Sequence, residues 1–206
     1  MSDLSKIYLY RMTHIENISH ILEYGITHIR SQNANLDYVA IGDSTLISTR
    51  NEFLLENGNK LGDYIPFYFC ILTPMLYVIQ KGYNVKKINP EDIVYCVSSV
   101  QKIIDSNIGY IFTDGHAIET ISTQFNSENI EDIENLVDLK ISKDPNFKDL
   151  NDLDKKRRKQ AEFLVDNDIP TNAILGFVVF NENAKNKLLG LGIEERKIKV
   201  INRYYF

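Results

Sequence analysis

The chain has 206 residues, 44% hydrophobic and 25% charged, which is the balance of a globular domain with a full core and excludes disordered or fibrous classes. A formal net charge of −5 excludes wholesale charge-driven binding to nucleic acid, so any polyanion site must be a local patch. No apolar run approaches a membrane span, residues 1–6 lack a signal-peptide pattern, and Cys70 and Cys96 suit neither a disulfide framework nor zinc. A reduced, cytoplasmic setting is the resulting expectation.

Ile7-Tyr8-Leu9-Tyr10 is aromatic and β-branched, as a first strand should be. Thr13-His14-Ile15-Glu16 has capping-box spacing, which puts Thr13 at the N-cap of a helix and Glu16 at its third position. Ile15, Ile18, Ile21 and Leu22 recur at helical spacing and Gly25 stands just past the end. His14 falls at the strand–helix junction; His20 and His28 read as surface or packing residues. Residues 30–42 are polar and aperiodic, which suits a solvated connection or a wrap around a small polar ligand. Asp43 or Ser44 then caps a short helix through Leu46 and Ile47 that delivers Arg50 near its end.

Residues 65–72 form the most hydrophobic stretch and read as a buried central strand. Pro74 opens a helix that runs through Ile79 and stops at Gly82. Residues 93–97 are a strand, 100–105 a helix and 110–112 a strand that ends in the turn Thr113-Asp114-Gly115-His116. Residues 127–154 are irregular, a length that marks either disorder or a functional loop. The run Lys155-Lys156-Arg157-Arg158-Lys159 follows, and such a run is ordinarily a solvated face. Here it leads into Glu162 and the short strand Phe163-Leu164-Val165, stopped by Asp166-Asn167-Asp168 and Pro170. Glu162 is thus expected at a strand end, with cations before it facing a polyanion. A strand at 175–180, a helix at 181–189 and a strand at 198–201 complete a single α+β domain over 1–206, with central mixed or antiparallel sheets flanked by helices.

No GxGxxG, Walker, HExxH or Cys/His metal pattern occurs. His14, Arg50, His116 and Glu162 remain as polar residues at element ends. They suit a nucleotide-using enzyme or a non-catalytic nucleotide- or nucleic-acid-binding module.

The ordered set Tyr10-Arg11-Met12-Thr13-His14-Ile15-Glu16-Asn17, Asn33-Ala34-Asn35, Ile41-Gly42-Asp43, Phe67-Tyr68-Phe69, Pro74-Met75-Leu76-Tyr77, Asp114-Gly115-His116-Ala117 and Gln160-Ala161-Glu162-Phe163-Leu164-Val165 resembles the DarT-type DNA ADP-ribosyltransferase toxins. The resemblance implies an ADP-ribosyltransferase fold that uses NAD to modify a base of single-stranded DNA, typically thymidine, and the lack of a metal pattern adds the expectation that no metal takes part. It also implies a macrodomain antitoxin that reverses the mark. On the same resemblance His14, Ile15, Glu16, Asn33, Asn35 and Arg50 would hold NAD, and Glu162 and Arg50 would be catalytic, with Arg50 also assisting proton removal from the base. Leu72, Thr73, Pro74, Met75, Tyr77, His116, Lys155, Lys156, Arg157 and Arg158 would meet the nucleic acid, with residues 127–154 as the substrate-facing loop. The family commonly carries an Arg and a small hydroxyl residue where Leu72 and Thr73 stand, so one cation is missing from the substrate strand. RNA or another DNA base is the alternative target.

Overall fold

A computed structural model describes residues 3–206 and arranges eight strands in one sheet. The strands are β1 (Tyr8–His14), β2 (Ile65–Tyr68), β3 (Ile93–Ser99), β4 (Tyr110–Thr113), β5 (Gln124–Phe125), β6 (Glu162–Val165), β7 (Gly176–Val179) and β8 (Ile198–Val200). The helices are α1 (Ile18–Tyr24), α2 (Ser44–Glu52), α3 (Pro74–Lys81), α4 (Val100–Asp105), α5 (Ile133–Leu136), α6 (Lys155–Arg158) and α7 (Glu182–Gly190). Across the sheet the order is β5-β4-β6-β2-β1-β3-β7-β8, antiparallel throughout except for the parallel pair β7–β8. Among the described residues no helix is long and apolar enough to cross a membrane.

Alternation along the strands sorts the core into two faces. Leu9, Phe67, Val94, Phe163 and Phe177 lie in the larger cluster, against Ile18, Ile103, Ile133 and Leu188 of the helices. Tyr10, Tyr68, Tyr95 and Val178 lie in the second cluster, against Leu76 and Ile79 of α3 and against Tyr205. The expected strand at 65–72 ends at Tyr68, and the apolar run continues only because Phe69, Cys70, Ile71 and Leu72 are buried in the connection that leads to α3.

Pro66 shapes the sheet's centre. Its carbonyl accepts from Arg11 Nη1 at 3.0 Å, so the side of Pro66 that lacks an N–H faces β1. A strand residue offers its N–H and carbonyl to the same neighbour, and proline cannot complete that pair. Accordingly β1 and β2 register only at Tyr10 and Tyr68, whereas β2 matches β6 over four residues and β1 matches β3 over seven. The two central strands part there.

The helix starts follow local chemistry, with one correction. The N-cap after β1 is His14 rather than Thr13, because His14 Nδ1 accepts from the Glu16 N–H at 3.3 Å. Thr13 Oγ1 instead accepts from Asn17 Nδ2 at 2.9 Å. Asp43 caps α2 by accepting from the N–H groups of Thr45 and Leu46. Residues 127–154 are less irregular than their composition implies. They hold two 3₁₀ turns and α5, and bury Ile130, Ile133 and Val137. The stretch 144–154 has no regular element. The two-residue strand β5 is too short to leave a sequence signal.

Gly25 ends α1 at φ +82°, and a Cβ there would lie 2.1 Å from the Ile169 carbonyl oxygen. Gly25→Ala therefore combines left-handed strain with a backbone clash. A loss of about 2 kcal/mol or more, read as a melting temperature lower by roughly 4–8 °C, is the expected result of thermal denaturation.

Candidate active site

Glu162 opens β6 and is fully buried. It shares strand parity with Leu164 and so points away from the face of Phe163 and Val165. Register places it opposite Tyr68, and Tyr68 opposite Tyr10, so the three residues form a row across β6, β2 and β1. The turn after β4 aims the carboxylate. The Glu162 N–H donates to Thr113 Oγ1 at 3.1 Å, and that hydroxyl donates to the Gly115 carbonyl at 2.6 Å. The same turn brings the Ala117 N–H to Glu162 Oε1 at 3.1 Å. Arg50 then binds both oxygens, Nη1 to Oε1 at 2.9 Å and Nη2 to Oε2 at 2.7 Å. His116 Nε2 stands 3.9 Å from Oε1.

The charges are set by burial and by this pair. Burial opposes the Arg50 charge, but the Glu162 carboxylate outweighs it and raises the Arg50 pKa above its usual value. His116 moves the other way: burial lowers its pKa below the usual imidazole value, although Glu162 pulls upward. Burial raises the Tyr68 phenol and the nearby Glu162 charge adds to the shift, so Tyr68 remains a hydroxyl donor. Burial likewise pushes the thiols of Cys70 and Cys96 up to about 12, which leaves them poor nucleophiles.

Two cavities meet at this cluster. One of about 160 Å³ lies where β1 and β2 part and is lined by Arg11, Met12, Arg50, Pro66, Tyr68 and His116, among others. Beside it runs a groove of about 840 Å³ that shares Tyr68, Met75 and His116 and extends past Tyr77, Phe147 and Lys156.

The expected residues divide. Arg50, His116, Pro74, Met75 and Tyr77 line one or both cavities. Leu72 and Thr73 are buried and line neither; Leu72 turns the chain at φ +52° and Thr73 Oγ1 caps α3 by accepting from the Leu76 N–H at 3.3 Å. Ile15 packs into the larger core cluster and lines neither cavity. Asn33 and Asn35 bond within their own region: the Asn33 carbonyl meets His20 Nε2 and Asn35 Oδ1 accepts from the Asp37 N–H. Reasoning from sequence missed the supports. Arg11, Asn17 and Ala117 lie inside the ordered motifs and Thr113 opens the turn before His116, but none carries a pattern of its own that marks it as a support. Asn17 is buried and clamps Val39, donating to its carbonyl and accepting from its N–H at 2.9 Å each.

The cationic run is not a free patch. Lys155 Nζ lies 2.7 Å from Asp144 Oδ2. Arg157 binds Asp154 and Asp114, an approach to the turn that Gly115 permits because a Cβ there would meet Arg157 Nη1 at 2.3 Å. Arg158 binds Asp138, Asp152 and Asp154. Lys159 is fully buried, donates to the carbonyls of Ile141 and Asp144, and has its pKa lowered by burial. Lys156 alone of the run is exposed, with no ion pair among the described residues.

The DarT family, described as ssDNA thymidine ADP-ribosyltransferase, matches residues 10–206. A DNA ADP-ribosyl transferase of Escherichia coli O127:H6 is 30% identical over 187 residues, 89% of this chain and 84% of that one. Thermus sp. 2.9 DarT in complex with ADP-ribosylated ssDNA superposes with a TM-score of 0.82 at 25% identity over 97% of this chain and 96% of that one. Its complex with NAD+ gives 0.79 at 25% identity over 100% and 99%. A fusion of DNA ADP-ribosyl transferase with DNA ADP-ribosyl glycohydrolase from Thermosipho africanus is 27% identical over 94% of this chain and 47% of its own length. Because the family match runs from β1 to the last residue, it takes in every strand that builds the cluster around Glu162, and the chain belongs to the DarT family of single-stranded-DNA thymidine ADP-ribosyltransferases.

Proposed function

We propose that this protein transfers ADP-ribose from NAD to thymidine in single-stranded DNA, with Glu162 and Arg50 as the residues that carry the reaction. The observation behind this reading is the buried Glu162 carboxylate, held by Arg50 and the Ala117 N–H at the opening between β1 and β2. Two guanidiniums, Arg11 and Arg50, line that opening together with the Tyr68 hydroxyl. Cations for a dinucleotide's phosphates and a carboxylate for ribose hydroxyls make a donor set that fits NAD. No group of three or more His, Cys, Asp or Glu side chains is placed to hold a metal ion among the described residues.

Bound NAD supplies the ADP-ribosyl group, with nicotinamide as the leaving group. Glu162 places a fixed negative charge where positive charge develops on the ribose, in a site from which water is largely excluded. Arg50 is held charged by Glu162, so it orients and stabilises but does not itself take up a proton. The lone pair of neutral His116, 3.9 Å from Glu162 Oε1, is the acceptor for the proton that leaves the base. Of the remaining expected NAD contacts, His14 contributes from the end of β1, Glu16 from an exposed side chain and Ile15 only through its main chain. Asn33 and Asn35 shape the loop that covers the dinucleotide. A base is extruded most cheaply from a single strand, and Met75 and Tyr77 give it an apolar wall in the groove. A macrodomain partner that removes the mark is the counterpart of the glycohydrolase half of the Thermosipho fusion, and a toxin acting on replicating DNA belongs in the cytoplasm.

Glu162→Gln keeps an acceptor oxygen for Arg50 but removes the charge. Transfer to thymidine-containing single strands, followed by mass spectrometry of the nucleosides, should fall about 10²-fold or more while NAD affinity and the circular dichroism spectrum at about 25 °C hold, with a lower melting temperature because the buried Arg50 charge loses its counter-charge. Wild-type rates in this variant would make the carboxylate structural. Parallel arms with duplex DNA and RNA identify the polymer.

The lowered pKa of His116 means that its neutral form persists below the ordinary value of about 6.5 and is lost only as pH falls through the lowered value. The acid limb of the transfer rate should therefore lie below about 6.5. In His116→Asn that limb should disappear, with a lower plateau; an unchanged profile would remove His116 from proton transfer.

A further inference from the structure

Resting on the assignment of the large groove to single-stranded DNA, we propose that the basic run positions the substrate loop. Lys155, Arg158 and Lys159 act through Asp138, Asp144, Asp149, Asp152 and the loop's carbonyls to hold Phe147, Lys148 and Leu153 as a preformed wall of that groove. Lys156 is then the member of the run that meets a phosphate directly.

The stretch 144–154 has no helix or strand, and burial holds little of it. Leu150 is 94% exposed and Leu153 85% exposed, so the usual apolar anchor is missing. Only Phe147 packs, with its ring centroid 5.5 Å from that of Tyr77. Polar anchors fill the gap. Lys155 Nζ lies 2.7 Å from Asp144 and 3.7 Å from Asp149, and Arg158 gathers Asp138, Asp152 and Asp154. Lys159 Nζ donates to Ile141 O at 2.9 Å and Asp144 O at 2.6 Å from a fully buried position. A buried ammonium is tolerated only where it is hydrogen-bonded, so these carbonyls are held in place by the cost of releasing them. The same contacts neutralise aspartates that would otherwise repel a phosphate backbone. Since Lys159 stands three residues before Glu162, the loop and the carboxylate share one rigid base.

The sign of one effect separates positioning from simple attraction. Asp144→Asn/Asp149→Asn removes two negative charges beside the groove. If the run acts only through its field, this variant should bind single strands more tightly than wild type. If the carboxylates are the run's handles on the loop, binding should weaken by about fivefold, the upper range for a half-exposed ion pair. The measurement is fluorescence anisotropy with a thymidine-containing oligonucleotide across a salt series, with NAD affinity by calorimetry as the control for an intact site. In turnover, KM for DNA should rise with little change in kcat. Lys155→Met should weaken binding without altering the slope of log affinity against log salt, whereas Lys156→Ala should reduce that slope by about 0.7. Tighter or unchanged binding by the double Asn variant, or a slope in Lys155→Met reduced like that of Lys156→Ala, overturns the positioning role and leaves the DNA assignment standing. Absence of single-strand binding by the wild-type protein overturns both.

Discussion

The double hydrogen bond between Arg50 and Glu162 is the contact on which the rest of the site depends. Helix α2 buries none of its residues, so Arg50 is its chief tie to the sheet. Glu162 is fully enclosed, and both its carboxylate oxygens are bonded there, by Arg50 and the Ala117 N–H. Removing one partner from such a pair costs about 3–5 kcal/mol, against about 0–1 kcal/mol for a pair in open water. That asymmetry separates this pair from the exposed ones, such as Lys60–Glu52. Its worth is geometric: it joins an otherwise loose helix, a central strand and the turn after β4 at one point.

The sheet supplies the space around that point. An unbroken ladder between β1 and β2 would close the centre, and the missing N–H of Pro66 prevents it. Arg11 bonds the freed carbonyl and in doing so places a second guanidinium beside Arg50's cavity. One imino acid in the middle of a buried strand thus produces both an opening and a charge to line it.

The cationic run shows how the same residue types can serve opposite ends. As a string of five cations before a strand it reads as a surface for a polyanion. Folded, it faces the aspartates that precede it in the chain, and Lys155 and Lys159 are buried. A short helical turn followed by a strand sends successive side chains in different directions, and only Lys156 emerges into solvent. Chain-near aspartates then compete for the others at higher effective concentration than any ligand.

Several features followed from the sequence alone, because each rests on neighbours in the chain. A cap at Asp43 or Ser44, Pro74 and Gly82 as the bounds of α3, and the strand at 163–165 are decided by interactions within a few residues. Glu162 at the strand's start came from the same local pattern, whereas its pairing with Arg50, 112 residues away, appears only in the fold. Tertiary structure decided what local chemistry leaves open. The cap moved from Thr13 to His14 because Asn17, tied to Val39 far along the chain, claims the Thr13 hydroxyl. Leu72 and Thr73 went inside because the turn into α3 packs beneath the second core cluster. Three-residue spacing can tell a chain where a helix begins, but which arginine a buried glutamate meets depends on which segments the sheet brings together, and Arg50 and Glu162 stand 112 residues apart.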